Sequence, residues 1–270
     1  MLSDLRALEE ALTDLLEASR RAKALKAKAK LERELQKALA SAFKAQGAAT
    51  VKRLKTLGDP QPISEAIGDD WGDWLNFWDA IAVETARRFE KPIKKAISKA
   101  LKLGADAVDM DKAFNLKNPR AEAWLKDRAA ERVALINETT RDTIGAIVNK
   151  GIAEGHSYNR MAKAITERFG EFAAGKPQKH IQSRAHLIAI TEVGEAYAEG
   201  NLQAGQELQA AGLTMEKSWL DSGDGRVSPG CKGNAAAGWI PLDDAFPSGH
   251  QRPLRFPGCR CDILIQRKRK

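Results

Sequence analysis

The sequence predicts a mainly α-helical chain: long helices ending in a small, loop-rich α+β unit. Three observations predict it. Apolar residues recur at three- and four-residue steps over most of the first 210 positions. Gly/Pro breaks in that stretch are few: GDPQPIS at 58–64, NLKNPR at 115–120, EGHS at 154–157 and FAAGKPQKH at 172–180. From residue 214 the texture changes to short β-prone runs, MEKSWL, GWIPL and CDILIQ, separated by Gly- and Pro-rich loops.

The first helix is expected over residues 2 to about 57, with Ser3 as N-cap and Leu5, Leu8, Leu12 and Leu15 on one stripe. RRAKALKAKAK (20–30) follows, with basic residues and no acidic one, and alanines that keep helix propensity high. Leu31, Leu35, Leu39 and Phe43 then form a stripe at four-residue steps, narrow enough to read as an arm or a coiled-coil partner. Trp71, Trp74, Trp78 and Ile81 share one face of a second helix running to about 103. Core packing is the first reading of those tryptophans, and base stacking or a protein interface the second.

A third helix is expected from about 120 to 153, with Pro119 near its first turn. Ser157 is placed to cap a fourth, which carries Met161, Ile165 and Phe169 on one side. A fifth is expected from about 179 to 211. These breaks divide the chain into a basic helical arm (1–57), a helical domain (58–175), a C-terminal domain (176–265) and a basic tail (266–270).

Composition narrows the class. The 270 residues carry 44 Lys and Arg against 36 Asp and Glu, a net charge of +8. That balance fits an anionic partner such as nucleic acid, and it also fits plain solubility. MLSDLRALEE is acidic and amphipathic, unlike a secretory signal or a transit peptide. No stretch approaches the roughly 18 apolar residues that cross a bilayer. Three cysteines do not make a disulfide framework, which points to a reducing cytoplasm.

Candidate sites are few. Arg20, Arg21, Lys23, Lys26, Lys28 and Lys30 could lie along DNA phosphates, or form a solvated face. Glu192 falls on the apolar stripe of the fifth helix with Ile181, Ala185 and Ile188, so it needs a partner. Arg184, or an arginine from the C-terminal region, could supply it, as an ion pair or as part of a site. Glu195, Glu199 and Glu207 read as solvated helix surface. Cys231, His250, Cys259 and Cys261 number four, as a tetrahedral zinc site requires, although Cys-x-Cys is tighter than the usual Cys-x2-Cys. The cysteines also fit buried small hydrophobes. No phosphate-cradling glycine loop, HExxH or ordered nucleophile–base set is present, so no enzymatic activity is expected.

One resemblance covers roughly residues 120 to 265. RAHLIAITEVGEAYAEGN, KSWLDSGDGRVSPGC, GWIPLDDAF and RPLRFPGCRCDI follow one another in the order found in Mu F-like phage head morphogenesis (minor head or minor capsid) proteins. Arg184, Ala185, Thr191, Glu192, Trp219, Asp224, Arg226, Val227, Cys231, Phe246, Pro257, Cys259, Arg260 and Cys261 occupy places that match that family's pattern. The upstream GIAEGHSYNRMAKAIT resembles its glycine-serine helix start. Three positions depart from it: Ile190 stands for the arginine of Ala-Arg-Thr-Glu, Ser228 for the first cysteine of Cys-x2-Cys, and Phe256 for a histidine.

The resemblance implies a minor head protein of a tailed phage or prophage, in the virion and in host cytoplasm during assembly. It implies docking to the portal protein and to coat or scaffold protein, non-specific contact with double-stranded DNA, and no membrane. Within it, Arg184, Glu192, Asp224 and Arg226 form a structural ion-pair set, with Glu192–Arg226 joining the long helix to the C-terminal turn. Zinc is a possible cofactor, and a disulfide from Cys231 to Cys259 or Cys261 outside the cell is another outcome. The rival readings are a zinc-stabilised nucleic-acid-binding module outside a virion, and a toxin or hydrolase carried on a Mu F-like domain.

Overall fold

The computed structural model describes residues 2–56, 71–108, 119–154, 156, 158–174 and 183–268. Six helices and three strands are found among them: α1 (Leu2–Thr56), α2 (Trp71–Val108), α3 (Pro119–Ala153), α4 (Tyr158–Ala174), α5 (Arg184–Ala210), β1 (Met215–Leu220), α6 (Pro229–Ala236), β2 (Ile240–Pro241) and β3 (Asp262–Arg267). The predicted fold class is the one observed. Ser157 and Ile181 lie outside the described residues, as do the side chains of Trp71 and Trp74, so the capping, stripe and interface readings placed there do too.

Packing groups the chain into two compact units, each assembled from separate pieces. One comprises Met1–Arg33, Ala96–Glu122 and Ile190–Lys270; the other comprises Glu34–Lys95 and Ala123–Ala189.

The second unit is helical. The stripe expected to mark an arm is its core: Leu35, Leu39 and Phe43 of α1 are buried, with Trp78, Ile81, Phe89 and Ile93 of α2 and Ile165 and Phe169 of α4. The stripe is wider than its leucines suggest, because Ala42, Gln46 and Thr50 are buried too. Gln46 Nε2 donates to Thr85 Oγ1 (3.2 Å) and Asn137 Oδ1 (3.1 Å), and Thr50 Oγ1 donates to the Gln46 carbonyl (2.8 Å). These bonds let polar residues share an apolar face without an unmet donor. Phe43 meets Phe89 edge-on with centroids 5.1 Å apart, and Phe172 at 5.4 Å. Burying each such side chain stabilises the fold by about 1.5–3 kcal/mol.

Arg184 also belongs to this unit. Its guanidinium lies over Phe172 (4.7 Å) and Phe43 (5.3 Å), and donates to Thr140 Oγ1 (2.9 Å) and the Ile136 carbonyl (3.1 Å). Desolvation brings its pKa down to about 10. Carbonyl, hydroxyl and ring faces, not a carboxylate, are the partners that surround it, so the expected ion-pair role is replaced by a cation–π contact.

The first unit joins the start of α1, the end of α2 and most of α5 to the C-terminal sheet. Two glycines permit the α2–α5 crossing. A Cβ on Gly104 would stand 1.9 Å from the Tyr197 carbonyl oxygen, and one on Gly200 would stand 1.9 Å from the Leu101 carbonyl oxygen. Backbones approach there as closely as absent side chains allow. The sheet is antiparallel in the order β2-β1-β3, with Trp219 opposite Ile263 and Ser218 opposite Leu264. MEKSWL is therefore the central strand. Of GWIPL, only Ile240 and Pro241 pair with it.

Candidate functional site

The turn after β1, helix α6 and the loop entering β3 converge on one apolar cluster: Trp219, Cys231, Phe246, Leu254, Cys259 and Cys261, with Val227, Ala235 and Ile240 packed against it. Trp219 meets Phe246 edge-on at 5.1 Å. Cys231 enters from the first turn of α6, and Cys259 and Cys261 from the loop before β3. The three sulfurs lie within 4.8 Å of one another, with Cys231 Sγ 3.9 Å from Cys259 Sγ, and all three thiols are free. Cys259 is held toward its thiolate, first by the Cys261 thiol and then by main-chain N–H groups of Cys261 and Arg255. Its hydrogen bond to Cys259, and then burial, push the Cys261 thiol up.

Ser228, where the family pattern expects cysteine, caps α6. Its backbone is extended (φ −66°, ψ 151°), and its oxygen accepts from the Cys231 N–H at 3.3 Å, with Pro229 next in the chain. A serine here satisfies a helix donor that would otherwise be orphaned. His250 is directed elsewhere. Its Nδ1 stands 3.0 Å from both the hydroxyl and the carbonyl of Ser248, which buried Asn234 holds through Nδ2–Oγ (2.8 Å) and N–Oδ1 (3.0 Å) bonds. The metal set expected from sequence is thus three cysteines brought together and a histidine bound into a neighbouring network.

The expected Glu192–Arg226 pair is not the one formed. Arg226 is held by Asp224 two residues away, through Nη2–Oδ2 at 2.8 Å and a main-chain N–H to Oδ1 at 3.0 Å. Arg260, between the two loop cysteines, reaches the same carboxylate. Arg226, then Arg260, hold the Asp224 carboxyl well below its usual range. A two-residue turn contact costs little ordering entropy, so it outcompetes a distant helix. Glu192 itself is buried, 3% exposed. The C-terminal turn is fixed to α5 by Thr191, whose Oγ1 accepts from the Gly258 N–H at 2.9 Å. Arg252 helps, bonding Glu199 Oε2 at 2.6 Å and lying 3.8 Å from Glu195 Oε2. Glu195 and Glu199 are therefore anchors for the loop, not solvated surface.

The basic run divides. Arg20, Lys23, Lys26 and Lys30 are exposed, and Arg21 is half-buried. Lys28 is 7% exposed, paired with Asp262 and 5.2 Å over the Tyr197 ring. It is an interior cation and not part of a phosphate-facing strip. Arg20 and Arg21 also border a cavity of about 540 Å³ lined by Tyr197, Asn201, Met215 and Ile265.

Lys217 was not legible as special, yet it is fully buried in β1. Its Nζ donates to Gln251 O (2.9 Å) and Oε1 (2.7 Å), 5.3 Å from the Phe246 ring. Desolvation lowers its pKa to about 8, against the pull of Asp243 and Asp244. The signal was its phase: it sits between Met215 and Trp219 on the inward side of an alternating strand.

Fold and site define a mainly helical protein with a small three-stranded sheet and three clustered cysteines beside it. Residues 142–264, a little under half of the chain, match the family model described as Phage Mu protein F like protein, in agreement with the resemblance carried by the sequence. No curated protein and no solved structure matches the chain. Among the described residues, no helix is long and apolar enough to cross a membrane.

Proposed function

We propose that this chain is a minor head protein of a tailed phage or prophage, acting without enzymatic activity. It docks to the portal and inner capsid, and contacts packaged or entering DNA without reading its sequence. It works in the virion, after assembly in host cytoplasm. The family match over residues 142–264 carries this reading. Two surfaces of α1 support it. Leu12, Leu15 and Leu16 are 58%, 69% and 53% exposed, an apolar stripe suited to a protein partner. Arg20, Lys23, Lys26 and Lys30 follow at steps of three, three and four on one helix face, spaced to meet phosphates.

Co-expression with a portal protein from the same phage or prophage tests the docking. Stable co-purification, lost on changing Leu12, Leu15 and Leu16 to Ser, supports it, and separate elution at high concentration refutes it. For DNA, four phosphate contacts give a log–log salt slope of about −3.6, so binding weakens about 150-fold from 50 to 200 mM salt. Replacing the four exposed basic residues by Ala should remove that slope. A slope near zero in the unaltered chain would leave the basic face as solvated surface.

A further inference from the structure

We propose that Cys231, Cys259 and Cys261 form a binding site for one thiophilic divalent cation, zinc being the ordinary occupant. At a zinc–sulfur distance of about 2.3 Å, neighbouring ligands of a tetrahedral ion stand about 3.8 Å apart. Cys231 and Cys259 are 3.9 Å apart, and the third sulfur lies within 4.8 Å of each. A disulfide needs about 2.0 Å, so the sulfurs are not bonded to one another, and their spacing matches that required of separate ligands on one ion. Soft thiolates select zinc and its heavier congeners over magnesium or calcium.

The surroundings suit such a centre. Main-chain N–H groups of Arg255 and Cys261 point at the Cys259 sulfur, the arrangement that supports a metal-bound thiolate. The indole N–H of Trp219 is turned toward the Cys261 sulfur. It is a buried donor that an anionic metal–thiolate group would satisfy. Phe246, Leu254 and Val227 keep solvent out. Among the described residues no fourth His, Cys, Asp or Glu joins the group. On binding, the sulfurs give up their remaining protons to solvent, leaving three thiolates on the ion. The ion would link α6 to the entry of β3.

The test uses the full chain, purified under reductant with chelator and then dialysed against zinc. One zinc per chain by elemental analysis is expected, and thiolate-to-metal charge-transfer absorption when cobalt replaces it. At free zinc about 100-fold above its Kd, labelling of the three thiols by a maleimide should slow about 100-fold, because only the unbound fraction reacts. Cys231→Ser and Cys261→Ser should each lose the bound zinc. The labelling experiment stands even if those variants do not fold, since it uses the unaltered protein. Absence of retained zinc together with zinc-independent labelling would overturn the proposal. So would a Cys231–Cys259 disulfide found by peptide mapping of protein kept under reductant.

Discussion

Removing the Lys28 ammonium should unfold more of this protein than any other change in the basic run. Lys28 and Asp262 are 8% and 12% exposed at the side chain, so each charge is compensated mainly by the other. Lys28→Ala would leave the Asp262 carboxylate buried beside Tyr197 and Glu32, both already pushed toward neutrality by burial. Tyr197 is held at about 12, with the Asp262 charge a second cause. Breaking a buried pair on one side costs about 3–5 kcal/mol, a large part of the roughly 5–15 kcal/mol that stabilises a typical domain. Replacing both partners, as in Lys28→Met with Asp262→Leu, should recover most of that loss, because neither charge is then desolvated. Urea denaturation followed by circular dichroism on the four members of the cycle measures both terms. A Lys28→Ala variant within about 0.5 kcal/mol of the parent, or strict additivity in the cycle, would refute the reasoning. Variants that remain folded should keep the DNA salt slope, since Lys28 faces inward.

Further outcomes follow from the same geometry. Gly104→Ala places a methyl against the Tyr197 carbonyl and should cost about 1–3 kcal/mol or more, measured by chemical denaturation. Gly170→Ala meets no atom within 4 Å, so it should stabilise α4 by about 0.5–1 kcal/mol and serves as the control. Lys217 has a folded pKa of about 8, below its ordinary 10.5. Between those values the unfolded state binds the extra proton, so stability should rise with pH across that window. Lys217→Met should flatten that rise in melts taken from pH 8 to 10.5. An equal rise in both proteins would assign it elsewhere.

The helices were legible because their apolar residues recur with helical period, and MEKSWL and CDILIQ because alternation and β-branched residues mark strands. Trp78 fell in the core as its spacing implied. What could not be read was long-range partnership. Lys28 looks like any other lysine of a basic run, since its partner lies 234 residues away. The narrow Leu35–Leu39–Phe43 stripe looked like an arm because alanine and hydrogen-bonded Gln46 and Thr50 do not register as apolar face. Arg226 looked free for Glu192 because a helix-centred reading overlooks a carboxylate two residues away in a turn. Cys231, Cys259 and Cys261 could be named in advance as a group. The direction of His250 could not, because Asn234 and Ser248 set it through bonds that no motif announces.

The distance along the chain between Lys28 and Asp262 also sets a clock. A ribosome adding about 5–20 residues per second needs about 12–47 s to make the intervening chain. During that time Lys28 has been made and its carboxylate partner has not, and the sheet that completes its unit lacks an outer strand. A chain released early, anywhere before β3, would expose both defects. Full-length synthesis is thereby coupled to completion of the fold.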